Sequence, residues 1–170
     1  MAVQDFDLRA LYEALDEQRR SRQLTWKALT DEVNQHRTRL RPISTSTITG
    51  LKDKPAAEGD GVLQMLIWLR RTPESFVPGM ADPRSPCFVQ PELASGQIRR
   101  WNKQALFAAL DERRLARSMT WDELANEISG FTPGMLKDLH KGGRIGFPRV
   151  MRLVRYLGES AAAFTHVASW

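Results

Sequence analysis

The chain contains an internal repeat, and this repeat constrains the fold more than any other feature of the sequence. Residues 11–33 align with 106–128 at an offset of 95, and 11 of the 23 positions are identical. Further along the chain the offset falls to 88, where 62–69 align with 150–157. The difference of seven residues is an insertion in the first copy, within 34–43. The sequence therefore predicts two copies of one small domain.

The alignment also sets the expected domain boundaries. We assign residues 1–79 to the first domain, 80–99 to a linker and 100–170 to the second domain. Four prolines between 78 and 91 prevent a long continuous helix in the linker region. We expect two superposable domains of four or five helices each, with no sheet and no core shared between them.

Within each copy, apolar residues recur at helical spacing, and no segment alternates as a strand would. Residues that favour helix N-caps precede the first three apolar stretches of each copy: Asp7 and Asn102, Thr25 and Thr120, Ser44 and Thr132. Glu123 completes a capping box with Thr120. The fourth helices are predicted at 62–69 and 150–157. The predicted fold is all-α: two tandem helical domains joined by a proline-containing linker.

The composition suits a globular protein of the cytoplasm. Hydrophobic residues make up 42% of the chain, enough for a packed core. The single cysteine, Cys87, cannot form an intrachain disulfide, which fits a reducing compartment. The N-terminal residues do not resemble a signal peptide, and no apolar stretch approaches the roughly 18 residues of a membrane span. We expect a cytoplasmic protein with no membrane partner.

The charge favours a polyanionic partner. The formal net charge is +5, and it is uneven: residues 1–79 carry +1 and residues 80–170 carry +4. The three histidines are scattered without metal-ligand spacing, and no phosphate-binding glycine loop or nucleophile motif occurs. We therefore expect neither enzymatic activity nor a cofactor.

Each copy resembles the helix-turn-helix domains of the lambda-repressor and Cro family, also called the XRE family. In the second copy the resemblance rests on LARSMTWDELA at 115–125 and GFTPGMLKDL at 130–139. In the first it rests on LTWKAL at 24–29 and ISTSTITGL at 43–51. The resemblance implies binding to double-stranded DNA, with the third helix of each copy entering the major groove.

Two features depart from the family. Members often begin the second helix with a glutamine that contacts DNA phosphate, whereas this chain has Trp26 and Trp121 there. The first copy also lengthens the turn between the second and third helices by seven residues, which strains the usual tight geometry. That insertion contains three arginines, Arg37, Arg39 and Arg41. They could form a basic arm that contacts DNA, or they could belong to a solvated loop.

The candidate DNA-contacting residues carry a hydroxyl, an indole or a positive charge. Hydroxyls can contact base edges, and cations suit phosphates. In the first copy the candidates are Trp26, Lys27, Arg37, Arg39, Arg41, Ser44, Thr45, Ser46, Thr47, Thr49, Lys52 and Lys54. In the second they are Trp121, Thr132, Lys137, Lys141 and Arg144. The structural alternatives are capping for the hydroxyls, packing on the first helix for the indoles and a solvated surface for the cations.

These observations predict a sequence-specific transcriptional regulator in which the first copy reads bases and the second anchors to phosphates. The alternative is a protein-interaction module, or an antitoxin-like partner, with weak or lost DNA binding. Pro133 and Gly134 favour the alternative, because they bring no side-chain hydrogen bond to the start of the third helix of the second copy. The sequence leaves a homodimer or a protein partner open.

Overall fold

The computed structural model describes residues 6–35, 42–80, 94–142 and 144–169. Within these ranges the chain is mostly helical. The first copy contains α1 (Leu8–Ser21), α2 (Trp26–Val33), α3 (Thr45–Thr49) and α4 (Gly59–Leu69). The second contains α5 (Lys103–Ala116), α6 (Trp121–Glu127), α7 (Pro133–Lys137) and α8 (Phe147–Leu157). No helix among the described residues is long and apolar enough to span a membrane.

Short 3₁₀ turns follow the third and fourth helices of each copy. They are Gly50–Asp53, Pro73–Phe76, Leu139–Lys141 and Ala161–Phe164. The predicted arm residues Arg37, Arg39 and Arg41, and Cys87 in the linker, lie outside the described ranges.

The predicted helix starts are confirmed for the first three helices of each copy. All six predicted N-cap side chains accept a hydrogen bond from a backbone N–H in the first turn. The capping box between Thr120 and Glu123 is complete. In contrast, α4 and α8 begin three residues earlier than predicted, at Gly59 and Phe147. The Gly-Asp-Gly start of α4 shows no apolar periodicity, so the sequence pattern misses its first turn.

The prediction of a mainly helical fold is confirmed, but the expectation that it contains no sheet is wrong. Strand β1 (Gln97–Trp101) pairs antiparallel with β2 (Thr165–Ser169) over five residue pairs. The partners lie far apart in the sequence, and β1 buries two consecutive side chains, Ile98 and Arg99. Local alternation therefore cannot reveal these strands. Residues 97–99, assigned above to the linker, belong to the sheet.

The buried hydrophobic residues of the two copies form one continuous cluster. The fully buried ring of Phe147 lies 4.5 Å from the ring of Phe6 and 5.4 Å from that of Trp101, measured between centroids. Phe6 precedes α1, whereas the other two rings belong to the second copy. The expectation that the copies share no core is therefore wrong. A sequence pattern locates the apolar face of each helix but does not say which faces pack together.

Equivalent residues of the two copies meet at this interface. Glu58 forms an isolated antiparallel bridge with Gly146, its own counterpart at the offset of 88. Two backbone hydrogen bonds flank the bridge: Gly59 N–H donates to the Ile145 carbonyl (2.9 Å), and Phe147 N–H donates to the Ala57 carbonyl (2.8 Å). Exchanging the copies converts one bond into the other. A local pseudo-twofold axis therefore passes between Glu58 and Gly146.

Side chains of the first copy also bond to the backbone of the second. Asp60 and Glu74 accept the N–H groups of Trp101 (3.0 Å) and Ala161 (2.6 Å), and Gln64 donates to the carbonyl of Arg99 (2.8 Å). Gln64 and Glu74 are buried, and burial raises the pKa of the Asp60 carboxyl. Directional bonds in a low-dielectric interface fix how the two copies meet.

Candidate nucleic-acid interface

In the second copy the turn between α6 and α7 depends on a glycine. Gly130 has a φ of +88°, a conformation that L-residues with a side chain rarely adopt. The guanidinium of Arg152, on α8, donates to the Ser129 carbonyl (3.0 Å) and occupies the space that a Cβ at Gly130 would need. Thr132 then caps α7, and Pro133 stands at its first position. The two helices are thereby joined by a tight turn.

In the first copy a single side chain closes the base of the insertion. The Asn34 amide nitrogen donates to the carbonyls of Ile43 (2.8 Å) and Thr30 (2.9 Å), and its amide oxygen accepts the Ile43 N–H (2.9 Å). The chain therefore leaves and rejoins the motif at one point. Leu29 on α2 and Ile48 on α3 are fully buried, so the longer turn does not open the core between these helices.

Most of the predicted hydroxyls on α3 bond to each other or to the backbone. Ser44 Oγ accepts the Thr47 N–H (3.1 Å) and lies 3.0 Å from Ser46 Oγ and 2.8 Å from Thr47 Oγ1. Thr49 Oγ1 donates to the carbonyl of Thr45 (3.2 Å). Among the described residues the Thr45 hydroxyl has no hydrogen-bond partner. Thr45 lines a groove of about 380 Å³ between α2 and α3, and Ser46 next to it in the sequence is exposed.

The two predicted tryptophans pack in the same way in both copies. Each indole stacks on an aromatic residue of the copy's first helix and lies under an arginine of that helix. Trp26 lies 5.4 Å from the Tyr12 ring and 4.7 Å from Arg19 Cζ, and Trp121 lies 5.4 Å from the Phe107 ring and 4.9 Å from Arg114 Cζ. Neither indole N–H has a hydrogen-bond partner in the described part of the chain. The packing places both N–H donors at the first position of the second helix.

In each copy one arginine, which the sequence analysis did not identify, holds the second helix in place. Arg22 forms a two-pronged ion pair with Glu32 (2.8 and 3.0 Å), and Arg117 does the same with Glu127 (2.7 and 2.8 Å). Each glutamate also accepts a hydrogen bond from the fourth helix, from Trp68 Nε1 (2.8 Å) or from the Tyr156 hydroxyl (2.7 Å). The arginine and the glutamate are identical in the two copies, and this identity could have indicated the ion pair from the sequence.

Acid should weaken these two clusters. The Trp68 and Arg22 bonds hold the pKa of Glu32 below its ordinary value, and the Arg117 and Tyr156 bonds do the same for Glu127. Such carboxylates stabilise the folded state above their unfolded pKa, and this stability is lost as the pH falls through the folded pKa. We expect the urea midpoint to decrease between about pH 5 and about pH 3, and to decrease less in the Glu32→Gln, Glu127→Gln double variant.

A suitable control is Glu13→Gln, which removes a carboxylate from an exposed pair with Arg9 on α1. Its midpoint should follow the wild-type pH dependence closely. Identical pH dependence of the double variant and the wild type would show that the clusters do not contribute.

The predicted cations divide into two groups. Three of them are already engaged within the protein: Lys27 with Asp31 (2.7 Å), Lys141 with Asp138 (2.7 Å) and Lys52 over the Tyr12 ring (5.7 Å). Lys54, Lys137 and Arg144 form no ion pair among the described residues and are exposed. These three cations are therefore the most available of the predicted cations whose structure is described.

A cationic cleft in the second copy contains two residues that the sequence analysis missed. Arg144, Arg149 and Lys103 line a cavity of about 180 Å³ beside α7. Its apolar lining is formed by Phe131, Met135, Leu139 and Ile145. Lys103 and Arg149 were not singled out because they stand at the starts of α5 and α8, far from α7 in the sequence.

No family model, curated protein or solved structure matches the chain significantly. Within the described ranges no group of three or more His, Cys, Asp or Glu residues could hold a metal ion. The geometry of the two copies is therefore the basis for any functional assignment.

Proposed function

We propose that the chain is a sequence-specific, double-stranded DNA-binding transcriptional regulator with two helix-turn-helix units of the lambda-repressor and Cro type. The observation that carries the proposal is one arrangement built twice: a capped short helix, a turn and a second capped short helix, α2–α3 and α6–α7. In each copy an Arg–Glu pair and a stacked tryptophan position the first of these helices. Rigidly held helix pairs of this kind suit entry of the second helix into the major groove.

The pseudo-twofold axis supports an intramolecular pseudo-dimer. In this proposal the local axis relates the two copies as wholes, and a rotation about it would place α3 and α7 at the same level on its two sides. Duplex DNA presents its two strands in opposite directions about a local dyad. A reader with this symmetry fits half-sites arranged as an inverted repeat. The half-sites should differ, because Thr45 and Ser46 on α3 align with Pro133 and Gly134 on α7.

The two copies suit different tasks. On α3, the unpartnered Thr45 hydroxyl and the exposed Ser46 can donate to or accept from base edges. Pro133 and Gly134 at the start of α7 supply no side-chain hydrogen bond. Lys137 on α7 and Arg144 in the loop beyond it are exposed and have no ion-pair partner among the described residues, so both can contact phosphate. In this proposal the first copy reads sequence and the second anchors the chain to the backbone.

Paired substitutions test this division on an operator selected from a random DNA pool. Thr45→Ala with Ser46→Ala should lower the preference over scrambled DNA about fivefold or more, because hydroxyl contacts are worth about 1 kcal/mol, and should leave non-specific affinity intact. Lys137→Ala should lower both affinities equally and flatten the log–log salt slope by about 0.9. Ser21→Ala, an exposed hydroxyl at the end of α1, is the control. Loss of sequence preference in Lys137→Ala alone would reverse the assigned roles.

A protein-interaction module, including an antitoxin-like partner, is the second candidate. It is favoured by the hydrogen bonds that already occupy Ser44, Ser46 and Thr47 and by the Pro-Gly start of α7. Gel-shift assays with non-specific duplex at low salt separate the candidates, since phosphate contacts bind any sequence under those conditions. A folded chain that binds no duplex, and that co-purifies with a stoichiometric protein, would favour this second function.

A further inference from the structure

We propose that the cationic cleft of the second copy, lined by Arg144, Arg149 and Lys103, is a binding site for a phosphate group. The group belongs either to the DNA backbone or to a free phosphate compound. The DNA alternative rests on the proposed function, whereas the site itself rests on its own geometry.

The size and lining of the cleft fit a single phosphate group. Its volume is about 180 Å³, well below the roughly 300–1,000 Å³ of pockets that enclose drug-sized ligands. Cationic side chains from α5, α8 and the loop after α7 converge on this one cavity.

Two of the three cations that line the cleft lack an acidic partner among the described residues. The guanidinium groups of Arg144 and Arg149 form no ion pair or hydrogen bond in the part of the chain that the structure describes. The one acid of the lining, Asp138, is held by Lys141 at 2.7 Å. That hydrogen bond lowers the pKa of Asp138, so the acid stays ionised and paired. Two unpaired guanidiniums can each donate two parallel hydrogen bonds to phosphate oxygens.

The first copy shows that the fold does not require these cations. The positions equivalent to Lys103, Arg144 and Arg149 are Leu8, Ala56 and Gly61. The same four helices form there with no positive charge at the corresponding place. The cationic cleft is therefore a property of the second copy alone.

The cleft lies beside the helix that would enter DNA. Met135 and Asp138, on and just after α7, line it directly. A phosphate bound there would lie next to the candidate recognition helix, where backbone contacts set the register of such helices on DNA. A free phosphate compound in the same place would compete with the DNA backbone.

The test titrates inorganic phosphate into the full chain in low-salt buffer and follows ³¹P chemical shift and line width. We expect saturable binding by the wild type, and affinity about tenfold or more weaker in the Arg144→Gln, Arg149→Gln double variant, because each charge-assisted contact is worth about 1.5 kcal/mol or more. Arg9→Gln with Arg20→Gln removes the same charge from the exposed face of α1 and should leave binding unchanged.

Salt titrations of binding to a non-specific duplex identify the source of the phosphate. If the DNA backbone occupies the cleft, the double variant should lose about 0.9 from the log–log slope for each contact removed, and phosphate should compete with DNA. An unchanged slope with lost phosphate affinity assigns the site to a free phosphate compound. Retained phosphate binding by a chain that binds no DNA would refute the proposed function and leave the site standing. A double variant equal to the wild type in both measurements overturns the site.

Discussion

Phe147→Ala should reduce the free energy of unfolding by about 3–5 kcal/mol, the range typical of buried phenylalanines. The Phe147 side chain is fully buried and lies between the rings of Phe6 and Trp101. Its loss leaves a cavity where the two copies meet, so both copies should be destabilised together. We expect a large loss of stability, because two hydrogen bonds at the pseudo-twofold axis hold the backbone there. The backbone therefore cannot easily collapse into the cavity.

Urea denaturation followed by tryptophan fluorescence and by far-UV circular dichroism measures this effect. Both signals should show one transition at a lower urea concentration, since tryptophans occur in both copies. Phe107→Ala is the matched control, because Phe107 is only partly buried and stacks on Trp121 at the surface of one copy. Its loss should be smaller. Two separate transitions in Phe147→Ala would mean that the copies unfold independently and the shared core contributes little.

Gly59→Ala should destabilise the protein by about 1–3 kcal/mol, the usual cost of overpacking, whereas Gly61→Ala should stabilise it by about 0.5–1 kcal/mol. A Cβ at Gly59 would lie 2.9 Å from Trp101 Cδ1 and 3.0 Å from the Ile145 carbonyl oxygen, and that backbone cannot move without breaking the bridge between the copies. A Cβ at Gly61 meets nothing closer than the Glu58 carboxylate at 3.5 Å.

The two glycines lie two residues apart in the first turn of α4, so the pair controls for helix propensity. Equilibrium denaturation of both variants should move the midpoint in opposite directions. A stabilised Gly59→Ala variant would show that the interface between the copies can relax, and that the close approach of Trp101 to α4 is not required.

Local sequence patterns were sufficient to predict where most helices start. The six N-cap residues and the Thr120–Glu123 capping box act within one helical turn, so neighbouring residues in the sequence determine them. The apolar positions that predicted the helices, such as Leu11, Leu29 and Ile48, are buried for the same reason. Their spacing matches the 3.6-residue period of one face.

Long-range contacts could not be predicted in this way. The pairing of β1 with β2, and the packing of Phe6 on Phe147, join residues that are distant in the sequence and carry no local periodicity. One long-range contact could have been predicted from the repeat, because Arg22 and Glu32 recur as Arg117 and Glu127 at the same offset. Oppositely charged residues that recur in both copies at the same spacing indicate that the two side chains contact each other.

The candidate site was predicted only in part. Sequence analysis named Arg144 but missed Arg149 and Lys103, because the elements that bring them together are separated along the chain. It also could not tell Ser44 and Thr47, which bond to each other, from Thr45, whose hydroxyl has no partner within the described ranges. Hydrogen bonds among neighbouring hydroxyls depend on rotamers, which the sequence does not specify.

The pseudo-twofold axis between Glu58 and Gly146 joins two halves that peptide bonds already connect. Regulators assembled from separate subunits lose their paired form on dilution, so their occupancy of DNA rises with roughly the square of subunit concentration when subunits are scarce. In this chain the effective concentration of one half near the other is fixed by covalent linkage. For the proposed regulator, occupancy of an operator would then rise in direct proportion to the number of chains in the cell, and a substitution in one half would alter recognition of one half-site without altering the other.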